Sequence, residues 1–152
     1  MNIEFDSALP IFILIAGFVI GQGAVTVIDL LGFLGTKSSY WTEATIRSHK
    51  VTKPLIWIGM ILVMIGLFLT YSKFGAPSFV NLQVISIIAM ILNGCFLSFY
   101  ISPALLKQEK EGRSTQLLSN SMQMKIAISF IISFTCWWGN LALTSIYLAN
   151  KI

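Results

Sequence analysis

The stretch PIFILIAGFVIGQGAVTVIDLLGFL, Pro10 to Leu34, decides the fold. It is apolar over more than the roughly 20 residues a helix needs to cross a ~30 Å hydrocarbon core, where each backbone N–H and C=O must be satisfied within its own segment. The stretch therefore predicts a transmembrane helix over about residues 9–34. It also carries polar groups to membrane depth. Thr26 lies four residues after Gln22 and Asp29 three after Thr26, so the three share one face of a 3.6-residue helix. Asp29 sits ~10 Å further along the axis than Gln22, at a level that His49, Lys53 or Arg47 could reach from the segment that follows.

The rest of the chain agrees with this reading. Of its 152 residues, 56% are hydrophobic and 11% charged, which does not describe a soluble surface. The net charge of +4 comes from cations in short segments between apolar runs. Such cations face anionic headgroups and set topology, and no basic face interleaved with aromatics suggests nucleic acid. Cys95 and Cys136 lie inside apolar runs, far from any CxxC spacing, and read as buried free thiols. The N-terminal MNIEFDSALP carries Glu4 and Asp6 where a basic leader region would stand, so a cleaved signal peptide is not expected.

Taken outward from the first span, residues 36–53 form the most basic segment, read as a loop with a short surface helix in TEATIRSHK. Pro54 then suits the first turn of a second span over 54–71. With nothing more polar than Trp57 and Thr70, that span is expected to face lipid, with Met60 and Leu67 exposed to lipid or to a partner chain. A link with Gly75 and Pro77 leads to a third span over 79–106, which Pro103 should kink or end. A mixed-charge loop precedes the fourth span over 122–149. The fold class is an all-α integral membrane protein, four transmembrane helices in an up-down bundle forming one domain over 1–152. Eight of the ten Lys and Arg residues fall in 36–53 and 107–125, so both termini are expected on the non-cytoplasmic side of a bacterial-type inner membrane.

Placing each span's midpoint at the bilayer centre puts Gln22, Asn93 and Asn140 at one depth. With Thr26 and Asp29 they form the candidate polar intramembrane site, either glue between helices or the lining of a path. Arg47, His49, Lys50 and Lys53 form a candidate cluster on the cytoplasmic face. Gly17 and Gly21 make a GxxxG strip for close helix packing, within the chain or between two copies. One histidine cannot ligate a haem from both sides, and Met60 and Met64 read as apolar filler. No HExxH, GxSxG, P-loop or paired carboxylates specify a reaction, so no catalytic or metal residues are assigned and the cofactor stays unknown. The layout is similar, in architecture alone, to small four-helix membrane haem and copper-resistance families; the histidines expected in their helices are missing, so no ligand or activity carries over. The expected role is a structural or accessory component in the lipid bilayer, as a homo-oligomer or a subunit of a larger membrane complex. The alternatives are a small channel or carrier using the polar stripe, and a redox subunit that shares haem or quinone with a partner.

Overall fold

The computed structural model describes residues 5–151, with side chains from residue 8 onward, so Glu4 and the side chain of Asp6, on which one expectation rests, lie outside what is described. The chain is all helical over these residues: α1 Phe5–Gly35, α2 Ser39–Phe74, α3 Val80–Phe96, a π-helical turn Leu97–Ile101, α4 Ser102–Lys110 and α5 Asn120–Ala149. Because α3, the π turn and α4 run on as one rod, four helices are long and apolar enough to cross a membrane: Ala8–Gly35, Ser39–Phe74, Val80–Lys110 and Asn120–Ala149.

Antiparallel α1 and α2 approach most closely, and glycine makes this possible. A Cβ on Gly17 would stand 2.6 Å from the Val63 amide nitrogen, one on Gly66 would stand 2.6 Å from the Leu14 backbone, and Gly21 and Gly59 leave each other no room for one at all. The strip is the interior of this chain, and Gly17 and Gly21 are used within it. Around it lies the main core of Leu14, Phe18, Val25, Met60, Val63, Leu67, Met90 and Trp137. The expectation that Met60 and Leu67 face outward is therefore corrected: they are 3% and 5% exposed. What selects the inner face of α2 is the small side chains of Gly59 and Gly66, one heptad apart, and not the presence of a polar group.

The basic segment is helix, not loop. Ser38 caps α2 by accepting from the Trp41 N–H at 3.5 Å, and the Thr42 hydroxyl donates to the Gly35 carbonyl at 2.7 Å, so the chain turns from α1 into α2 within three residues. Pro54 lies inside α2 rather than at its start. Thr42, Thr45, Ile46, His49 and Thr52 are buried and recur every three or four residues, and this helical face continues through Pro54 into the apolar run. A second, smaller core of Ile46, Ile101 and Leu105, flanked by Leu118, Met122 and Ile126, covers that end of the bundle. Lys50 meets Glu109 at 2.9 Å there, tying the two basic segments to one end. Beyond α4, the hydrogen bond from Arg113 holds the exposed Glu111 carboxyl below its usual range. That pairing is present at neutral pH and is lost as pH falls through the lowered value.

Pro103 neither ends nor breaks the third span. The Ser102 N–H bonds to the Leu97 carbonyl, five residues back, and α4 then continues to Lys110. The widened turn makes room for the proline ring, a usual place for a π turn.

Substitution of Gly59 by Leu forces the α1 and α2 backbones apart and is expected to destabilise the protein by about 1–3 kcal/mol or more. Gly139, whose Cβ would meet nothing within 4 Å, should accept Ala with a neutral or slightly stabilising effect. Thermal unfolding in detergent tests the contrast; equal melting temperatures for the two variants would remove the seam from its central place.

Candidate functional site

The interior amides are mostly engaged, each with its own neighbours. Asn93 donates to the Ser133 hydroxyl at 2.8 Å and the Ser129 carbonyl at 3.2 Å, and its oxygen accepts from the Ser129 hydroxyl at 2.8 Å. Asn140, fully buried, donates to Ser86 at 2.7 Å and to the Cys136 carbonyl at 3.0 Å. Gln83 accepts from the Tyr71 hydroxyl and donates to Thr144 at 3.3 Å. On α5, Ser133 and Ser129, the partners of Asn93, lie seven and eleven residues before Asn140, ~10 Å or more along a helix. The two amides therefore lie at different levels, and the expected meeting of Gln22, Asn93 and Asn140 at one depth does not occur. Asn140 lies about five residues beyond the midpoint of α5, ~8 Å toward its Ala149 end, which takes it off the level of Asn93. Gln83, Ser86, Ser129 and Ser133 were not singled out from the sequence. The signal was present in α5, where Ser129, Ser133, Trp137, Asn140, Thr144 and Tyr147 recur at helical spacing and form its buried face.

The α1 stripe lies apart from these networks. The Thr26 hydroxyl donates back to the Gln22 carbonyl at 2.8 Å, while the buried Gln22 Oε1 accepts no hydrogen bond. Gln22 and Thr26 line a sideways-open groove of about 570 Å³ between α1 and α5, walled by Phe18, Trp138 and Leu141. Asp29, half-buried and nearer the basic end, borders three small cavities of about 60, 50 and 30 Å³. The first of these brings it together with His49 and Lys53 of α2 and Ser98 of the π turn. None of the four ion pairs among the described residues includes Asp29.

The cluster expected from Arg47, His49, Lys50 and Lys53 is divided by the helix. Arg47 turns outward to Glu43 at 2.5 Å and Lys50 to Glu109, whereas His49 and Lys53, one turn apart, face the cavity. The Lys53 ammonium donates to the Ser98 carbonyl at 3.2 Å. The π turn explains why that acceptor is free. The Ser102 N–H, which would serve Ser98 in an α-helix, goes to Leu97, and the residue five positions on is Pro103, which has no N–H. Trp57 Nε1 donates to the Ser98 hydroxyl at 3.1 Å, completing the attachment of α2 to the turn.

Cys95 and Cys136 are free and half-buried. Among the described residues no group of three or more His, Cys, Asp or Glu is placed to hold a metal ion. No family model, curated protein or solved structure matches the chain.

Replacing Asn93 by Leu leaves Ser129 and Ser133 without their partner and is expected to cost about 1 kcal/mol or somewhat more, whereas Gln22→Leu, which removes an unpaired buried oxygen, should be neutral or stabilising. Chemical unfolding in mixed micelles measures both. If Gln22→Leu is the costlier change, Gln22 has a partner that these contacts do not include.

Proposed function

We propose that this chain is a four-span integral membrane protein of a bacterial-type inner membrane, working as a structural or accessory component, as a homo-oligomer or as a subunit of a larger membrane complex. One observation carries the reading: Gln83, Asn93 and Asn140 all bond across helices, to Tyr71 and Thr144, to Ser129 and Ser133, and to Ser86. Polar groups held this way fasten helices to each other and leave no lined path for a solute. The cavities at Asp29, at about 60 Å³ or less, are likewise too small for anything beyond a few waters or an ion. Outside the core, large apolar side chains such as Phe12, Val19, Phe68 and Phe99 cover the long helices, as a hydrocarbon environment requires. A second reading, passage of an ion along the α1 stripe, is favoured by Asp29 alone, since a carboxylate at that depth without an ion pair is costly unless it is used.

Purified in mild detergent, the protein should run as an assembly larger than its own 16.9 kDa, by light scattering or native mass spectrometry. A monomer with no co-purifying chain would refute the proposed role.

Lysine and arginine at the end built from the start of α2, α4 and the start of α5 orient that end to the cytoplasm. In a background lacking Cys95 and Cys136, Ser78→Cys should react with an impermeant maleimide added to intact cells, and Thr115→Cys should react only after permeabilisation. The reverse pattern inverts the topology.

A further inference from the structure

The cavity shared by Asp29, His49 and Lys53 is a partly open one bordered by α1 to α5 and the π turn, and has a volume of about 60 Å³, room for about four water molecules. Two unmet polar demands meet in it. His49 is only 8% exposed and its Nε2 has no hydrogen-bond partner, and the Asp29 carboxylate is in no ion pair. Lys53 is the one Lys or Arg in the lining, with its ammonium already anchored on the Ser98 carbonyl. The remaining lining is uncharged: Ser98, Leu97 and Ile101 from the π turn, Gly94 from α3, Leu105 from α4, and Ile126 and Ser129 from α5. In the two smaller cavities that Asp29 borders, α3 and α5 likewise offer no ionisable group, and Asn93 and Ser133 are the polar aliphatic side chains they contribute.

We infer that this cavity is a hydrated proton-binding site, in which a few waters bridge the Asp29 carboxyl, His49 Nε2 and the Lys53 ammonium, and Asp29 takes up and releases a proton toward the basic end of the bundle. The ligand is thus water plus one exchangeable proton. A buried water needs two to four hydrogen bonds, and the polar side chains that line this cavity are Asp29, Thr45, His49, Lys53, Trp57, Ser98 and Ser129. Asp29 also borders the cavity that Thr26 lines, and Thr26 in turn lines the groove with Gln22, so the bridged cluster lies at the inner end of the polar stripe. This site goes beyond the scaffold role and is independent of the oligomeric state.

The test is labelling of the full-length protein by dicyclohexylcarbodiimide. The reagent partitions into apolar regions and adds to a protonated carboxyl: the carboxyl proton moves to a carbodiimide nitrogen as the carboxyl oxygen bonds the central carbon. Peptide mass spectrometry should find the adduct on Asp29, falling in extent as pH is raised from about 5 to about 9, and absent in Asp29→Asn. Lys53→Met removes the positive charge that favours the carboxylate and should move the midpoint of labelling upward by about half a pH unit or more. His49→Gln, which keeps a polar group in the cavity, should shift the midpoint while leaving the melting temperature unchanged. Labelling at every pH alike, no labelling of Asp29 at any pH, or a midpoint untouched by both Lys53→Met and His49→Gln would each overturn the site. Sizing of Asp29→Asn in the same detergent separates this outcome from the scaffold reading, since its assembly should be unaltered.

Discussion

The fold depends on how near two backbones can come. In water, apolar surface is driven together; between helices already in an apolar medium that drive is gone, and packing at short range has to replace it. Gly17 and Gly21 on α1, facing Gly59 and Gly66 on α2, remove the side chains that would hold the helices apart, and Leu14, Val63 and Leu67 then fill the flanks of the seam. With α1 and α2 joined through Thr36–Ser38 and pinned by Thr42 to the Gly35 carbonyl, the first half of the chain is a single hairpin. The second half attaches differently. The α3 and α5 helices are held to each other by Asn93, Asn140 and their serine partners, so one hairpin closes on small side chains and the other on hydrogen bonds.

Length and hydropathy made the four long helices legible in the sequence, because crossing about 30 Å of hydrocarbon demands about 20 apolar residues and little else has that pattern. Three features were not legible for specific reasons. Pro54 is equally at home in a first turn and, with its lost bond tolerated, inside a long helix; only Ser38 and the threonine face upstream decide between them. The lipid-facing side of α2 was read from its lack of polar groups, although the two glycines that bury Met60 and Leu67 stood in plain view. A π turn has no composition of its own, so the extent of the third span could not be fixed from Pro103 alone. Within the candidate site the convergence of Asp29, His49 and Lys53 on one level followed from rise per residue, whereas the outward turn of Arg47 and Lys50 required knowing that residues 39–53 are helical.

The polar interior therefore holds two kinds of group. Asn93 and Gln83 have partners on both amide atoms, and such groups fix helix order without inviting anything further. Gln22 Oε1 and His49 Nε2 have none, and both border open volume. A buried polar atom left unpaired is costly, and in native proteins it commonly marks a place where water or a ligand belongs. Thr70 Oγ1 and Asn140 Oδ1 are buried without a partner as well, so unpaired atoms occur on α5 as on α1 and α2, and the two that border these cavities belong to α1 and α2.

The length of α2 carries a mechanical consequence. Its 36 residues make a rod of about 54 Å, some 20 Å more than a bilayer core needs, and it runs unbroken from the Ser38 cap past Pro54 to Phe74. The surplus at its basic end carries Arg47 and Lys50 on the outside and the cavity-lining His49 on the inside. Nine residues, ~14 Å, separate Lys50 from Gly59 on this one axis, with Pro54 between them as the single place where the helix gives up a backbone bond, so any movement of the charged end relative to the tight Gly59–Gly21 contact would be taken up there.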